Sequence, residues 1–253
     1  MKKKPSCICR ALCSQTFKII CAGFIVLSFA SEGYPEVQKE RDEAVIARII
    51  EAYGGRTNLS GVFALSAEGR IQKHFPDDSG SYVRHMQRDR KLFVEIRYTN
   101  ATERRVLNGK RGYRSMNGKL EAVKGPPYDA MVYQYNQIDL PFGFLDGSFR
   151  VVSVHRDSLS GEDVNVVRLQ DTEGYELDIS VRAADSLILR AVGYFKVGSS
   201  RTNLGAEFSD FRKVEGILLP FKIINYARGS KLGETTITQY RINPRIDNSV
   251  FQP

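Results

Sequence analysis

Beyond residue 21 the chain has no cysteine, because all four (Cys7, Cys9, Cys13 and Cys21) crowd into its first segment. A chain matured past that point forms no disulfide, offers no thiol nucleophile and has no thiolate for a structural zinc site. Histidine is scarce as well. His74, His85 and His155 stand far apart, without a His-x-His or His-Glu-x-x-His spacing, so the sequence carries no metal-ligand motif. No Gly-x-Ser-x-Gly elbow occurs. Tyr53-Gly54-Gly55-Arg56 lacks the glycine spacing of a phosphate-cradling loop, and Asp77-Asp78, beside Pro76 and Gly80, reads as a solvated hairpin tip. These absences leave no catalytic residues, no metal and no cofactor to assign. The chain reads as a protein that is not an enzyme.

A membrane-spanning run is also missing. The apolar stretch Ile19 to Ala30 is twelve residues long, whereas a spanning helix needs roughly 20. It follows the basic residues Lys2, Lys3, Lys4, Arg10 and Lys18 and ends on Ser28-Phe29-Ala30, with small residues at the −3 and −1 positions. That order is a secretory signal peptide over residues 1–30, with cleavage after Ala30 and a single domain over 31–253. Export also resets the charge. The formal net charge is +8, from 37 Lys and Arg against 29 Asp and Glu; removing the five basic residues of the leader leaves +3. Nucleic-acid binding loses its main support.

What remains is basic in one region. Residues 81–120 hold eleven Lys or Arg against Asp89, Glu95 and Glu103. Arg84, Arg88, Arg97, Arg104, Arg105 and Arg111 form a candidate basic face for anionic head groups or an envelope protein partner. Solvated strand faces are the plainer reading of the same residues.

Periodicity supplies the fold class. Glu40 to Tyr53 places Val45, Ile49, Ile50 and Tyr53 near helical spacing, and Gly54-Gly55 stops the helix. From Val62 onward the period is two, as in Leu92, Val94, Ile96 and Tyr98, and again in Tyr175, Leu177, Ile179 and Val181. Turn residues such as Asn108-Gly109, Ser160-Gly161 and Glu215-Gly216 separate the strands at hairpin spacing. The expected fold is mainly antiparallel β with few helices, a curved meandering sheet. Residues 126–144, rich in Tyr, Met, Leu and Phe, break the alternation and read as a helix or ordered loop crossing one mouth of that sheet.

Strands apolar on both sides, such as Ile217 to Ile224 and Leu187 to Leu189, require cover on both faces, by core packing or by a bound acyl chain. One alternating face supplies the candidate ligand-binding residues: Leu92, Val94, Ile96, Leu177, Ile179, Val181, Leu189, Phe208, Phe221 and Ile223.

Four segments carry a family resemblance. They are Ala52-Tyr53-Gly54-Gly55 with Leu59 and the strand Val62 to Gly69; Leu140-Pro141-Phe142-Gly143-Phe144-Leu145; the hairpin Phe208 to Phe221 with Asp210-Phe211-Arg212 and Gly216-Ile217-Leu218-Leu219-Pro220; and Ile242-Asn243-Pro244-Arg245-Ile246-Asp247 with Phe251. In this order and spacing the chain resembles the LolA/LolB-like superfamily of outer-membrane lipoprotein-sorting proteins. The resemblance implies an unclosed β-barrel wrapped over helices, in the periplasm, and the chain is expected to act as a monomer. The resemblance also implies a carrier that shields lipid or lipoprotein acyl chains in an apolar cavity and needs no cofactor. Relatives of this fold also include envelope sensors that dock a protein partner, and that alternative stays open.

Overall fold

The computed structural model describes residues 34–253. The expected signal peptide, residues 1–30, lies outside the described residues. The amphipathic stretch is helix α1, Tyr34–Ala52, and it turns through Gly54 and Gly55, at φ 129° and 81°, into the short helix α2, Gly55–Ser60. Gly54 is required there for a second reason. A Cβ on it would stand 2.5 Å from the Gly216 carbonyl oxygen.

Six strands follow as a meander: β1 Ala64–His74, β2 Asp77–Gln87, β3 Lys91–Tyr98, β4 Thr102–Asn108, β5 Arg111–Met116 and β6 Glu121–Val123. The segment that breaks the alternation is helix α3, Pro126–Asp139, followed by a 3₁₀ turn at Phe142–Phe144. Prolines at its first positions start the helix, where the missing N–H is no loss. Seven strands complete the chain: β7 Phe149–Leu159, β8 Glu162–Asp171, β9 Glu176–Arg182, β10 Ile188–Val197, β11 Ser200–Val214, β12 Ile217–Ala227 and β13 Ser230–Ile242. The Asp77-Asp78 pair opens β2 instead of forming the hairpin tip, which falls at Phe75-Pro76.

All thirteen strands join one antiparallel sheet in the order β6-β5-β4-β3-β2-β1-β13-β12-β11-β10-β9-β8-β7. The last strand pairs with the first, Leu65 opposite Ile242. The two edges, β6 and β7, are the neighbours that α3 connects. The barrel is therefore left open at one seam, and the helix launched from that seam packs inside it, against β10, β4 and β5. Two-residue turns with positive φ at both positions close three hairpins: Ser160-Gly161, Glu215-Gly216 and Arg228-Gly229. Their twist matches that of the flanking strands.

One buried cluster joins Val45 and Ile49 of α1, and Tyr53 just after it, to Met131, Val132 and Tyr133 of α3 and to the inward residues of the sheet. Tyr133 fits only because β10 carries Gly193, where a Cβ would stand 2.0 Å from the phenol ring. No described helix is long and apolar enough to cross a membrane.

The end of the sheet holding the β2–β3 and β11–β12 hairpins is closed by cross-links. Arg88 donates from Nε to Asp139 at 3.2 Å and from Nη2 to Asp146 at 2.5 Å and to the Phe142 carbonyl at 3.0 Å. The Leu218 amide donates to the Tyr53 carbonyl at 3.0 Å, and Asn243 takes the Phe63 amide at 2.9 Å while donating to the Gly61 carbonyl at 2.7 Å.

Candidate functional site

Between the concave face and α3 lies a cavity of about 320 Å³. Strand alternation decides which residues reach it. On β2 the inward positions are Tyr82, Arg84 and Met86; on β3 they are Leu92, Val94, Ile96 and Tyr98. Across the sheet these residues stack in rows. Tyr240, Ala67, Arg84, Val94 and Arg105 pair in sequence across β13, β1, β2, β3 and β4, and Ile237, Gly69, Tyr82, Ile96 and Glu103 form the next row.

The opposite wall comes from Leu204 and Phe208 of β11 and from Leu219, Pro220 and Ile223 of β12. Helix α3 supplies the lid of this space with Ala130, Tyr133, Gln134, Gln137 and Ile138. Lining residues that are also exposed mark its mouth. Phe75, 78% exposed, and Leu232, 43% exposed, sit with Lys73 at the end where the β1–β2, β3–β4 and β12–β13 hairpins turn. Val197, at the tip of the β10–β11 hairpin, is also exposed but does not line the cavity.

Of the ten candidate residues, Ile96, Phe208 and Ile223 border the cavity. Leu92, Val94, Leu177, Ile179 and Val181 are buried in the core cluster, away from the cavity surface. Phe221 is buried edge-to-face against Tyr240, with the Arg212 guanidinium 4.6 Å from its ring centre. Leu189 is half-buried and outside the core, because the register slips between Ile188 and Arg190 and turns it off the inward face.

The basic residues do not share a face. Arg97 and Arg104 lie on the convex side, 67% and 44% exposed, with both guanidiniums on the Glu95 carboxylate at 2.7 and 2.6 Å. Arg88 belongs to the braced end, and Arg111 is exposed at the start of β5. Arg84 and Arg105 point the other way and border the cavity. The reason is the period of two: residues an odd number apart on a strand, or in unmatched cross-strand register, face opposite sides.

Arg105 is neutralised where it stands. Its Nη1 donates to Gln134 at 3.0 Å and its Nε lies 3.4 Å from Glu103, which Arg114 also contacts at 3.0 Å. Arg84 has no such partner. It is 5% exposed, pairs with no carboxylate among the described residues, and leaves its buried Nε without a hydrogen bond. Ala67, the small residue between Arg84 and Tyr240, leaves room for the guanidinium to lie 5.9 Å from the Tyr240 ring centre. The signal for this inward arginine was legible as parity: Tyr82, Arg84 and Met86 alternate, and their apolar company places Arg84 inside.

Burial governs the other titrating groups. Tyr53, Tyr133, Tyr135 and Tyr175 are all held above the ordinary phenol range, chiefly by desolvation. Asp139 is pushed up to about 6 by burial, against the pull of Arg88. No group of three or more His, Cys, Asp or Glu among the described residues is arranged to hold a metal ion.

No family model matches the sequence, and no curated protein matches it. Solved structures do. A DUF1329 family protein from Desulfovibrio piger superposes with a TM-score of 0.54 at 11% identity, over 83% of this chain and 96% of the other. A LolA superfamily protein from Nitrosomonas europaea gives 0.52 at 12% identity, over 84% and 97%. A domain named for outer membrane lipoprotein sorting, from Vibrio parahaemolyticus, gives 0.52 at 12% identity, over 83% and 97%. At these identities the likeness is one of fold: the thirteen-stranded, unclosed sheet wrapped over α3 is the LolA-like fold.

Proposed function

We propose that this chain is an exported, periplasmic carrier of lipid or lipoprotein acyl chains, with no catalytic role. The observation that carries the reading is the cavity between the concave sheet and α3, walled largely by apolar side chains and opening at a rim of exposed apolar ones. Its volume stands at the lower end of ligand pockets, which run roughly 300–1,000 Å³. A space of this size suits one chain more than several. Each buried methylene is worth about 0.8 kcal/mol, so an acyl chain crosses water readily only inside such a pocket. The names borne by two of the similar folds, LolA superfamily and lipoprotein sorting, support the same reading.

In this reading Ile96, Phe208 and Ile223 touch the chain, while Leu92, Val94, Leu177, Ile179 and Val181 hold the wall behind them. A second reading has its own observation. Helices α1 and α3 already fill much of the concave face, which suits a barrel that docks a protein partner without carrying lipid.

Native mass spectrometry of the full chain, expressed with export and purified without detergent, separates the two. The carrier reading expects a stoichiometric acylated species or its appearance when lipid is offered. A mass that stays free of lipid throughout transfers the weight to partner docking.

A further inference from the structure

Four charged side chains border the cavity: Lys73, Arg84, Glu103 and Arg105. Three are cationic and one is anionic, and the anion is already shared between Arg105 and Arg114. Lys73 sits at the exposed mouth with its ammonium 5.5 Å from the Tyr98 ring centre. Arg84 lies deep, with no carboxylate against it among the described residues and with its Nε unpaired. A guanidinium stays protonated when buried, and a buried charge without a counter-charge is a cost that folds carry where something else is gained. Tyr82 and Tyr240 supply neutral polar contacts to the guanidinium, which lies over the Tyr240 ring; a small residue and an apolar wall complete its surroundings, so an occupant of the cavity is the group able to bring it a counter-charge.

We propose that Arg84 is the recognition site for an oxyanion head group, carboxylate or phosphate, on a single-chain amphiphile held in the cavity. The inference rests on the carrier reading and names the ligand class. The head group meets the inward fork of Arg84, which is built for planar or tetrahedral oxyanions. The tail lies against Ile96 on the neighbouring strand and against Phe208 and Ile223 across the cavity. Lys73 at the mouth adds a positive field along the entry route.

The test is calorimetric titration of the full chain at pH 8 with dodecanoate, dodecyl phosphate, dodecan-1-ol and inorganic phosphate. The wild type is expected to bind one of the two acids about 10- to 100-fold more tightly than the alcohol, the range for a hydrogen bond to a charged group. Inorganic phosphate is expected not to compete, and the better of the two acids identifies the head group. Equal affinity for acids and alcohol overturns the role of Arg84 and leaves the carrier reading standing. Binding of none of the three amphiphiles overturns both. Phosphate binding as tight as that of dodecyl phosphate overturns the amphiphile in favour of a free anion.

Arg84→Met supplies a readout that a structural role would not give. The variant is expected to bind acid and alcohol alike while melting a few degrees higher without ligand, because the unpaired charge is gone. A melting point below wild type assigns Arg84 to the fold and overturns the site. The wild-type acid-to-alcohol comparison needs no variant and stands even where Arg84→Met fails to fold.

Discussion

The two ends of the sheet are built from the same alternating strands and finished in opposite ways. At the β2–β3 end, Arg88 ties Asp139, Asp146 and the Phe142 carbonyl together, Tyr135 donates to the Arg88 carbonyl at 2.8 Å, and Asn243 staples the start of β1. At the β1–β2 end, Phe75 and Leu232 face solvent around the cavity mouth. Buried polar cross-links dominate one end, where Phe63, exposed, and the unpaired Arg90 Nε are the exceptions, and apolar side chains around the cavity mouth are exposed at the other. The braced end holds α3 in place as a plug, and the carrier reading takes the unbraced end as the way in, since elements that open are drawn from the least stable part of a fold.

The largest break in this contrast is expected from Arg88→Ala. It strands the Asp139 carboxylate, 2% exposed, without its cation. Loss of one partner from a buried pair costs about 3–5 kcal/mol, to be read from urea denaturation at pH 7.5. A loss under about 1 kcal/mol would show that the brace contributes little.

A pH series sharpens the same point. Asp139 titrates at about 6 in the folded chain against an ordinary 3.8, burial being the largest cause. The raised value means that the folded chain keeps the proton longer, so the stability from this group is complete below about pH 4 and lost as pH rises through about 6. Wild type is expected to lose up to about 3 kcal/mol over that window relative to Asp139→Asn. Parallel pH curves for the two proteins would refute it.

The plug comes next. Gly193→Ala forces the Tyr133 ring to move, and overpacking of this kind costs about 1–3 kcal/mol. It is expected to lower the melting temperature and loosen α3, read as faster amide exchange in residues 130–138. Unchanged exchange would mean that the ring has slack.

The smallest stability effect belongs to the rim. Phe75→Ser is expected to change stability by no more than about 0.5 kcal/mol, because its ring is already in water. Under the carrier reading the same change slows uptake of a fluorescent acyl chain from vesicles, and an uptake rate equal to wild type removes the rim from the entry route.

The residues show how far sequence reasoning reached. Alternation marked most of the strands, and Ser160-Gly161 and Glu215-Gly216 marked hairpins that form with both residues at positive φ. The three-residue strand β6 was invisible, since Glu121–Val123 is too short to show a period. Helix α2 was equally silent, six residues with one buried side chain, Leu59. Leu189 misled because a register shift cannot be read from composition. The arginines misled for a different reason. Counted by charge they made one face, and counted by parity they fall on two sides of the sheet.

Local chemistry along the chain settled the elements of this protein. A helix ends at Gly54-Gly55, antiparallel strands alternate with period two, hairpins turn at glycine, and no cysteine follows residue 21. These depend on neighbours a few residues away. Only the tertiary structure decided that β13 closes on β1 and that the barrel stays open between β6 and β7. It alone set α3 inside that opening, with Tyr133 over Gly193, and left Arg84 as an inward charge with no carboxylate against it among the described residues and its Nε unpaired. Whether a buried charge is compensated depends on which strands lie across from it, and that pairing is a property of the folded sheet.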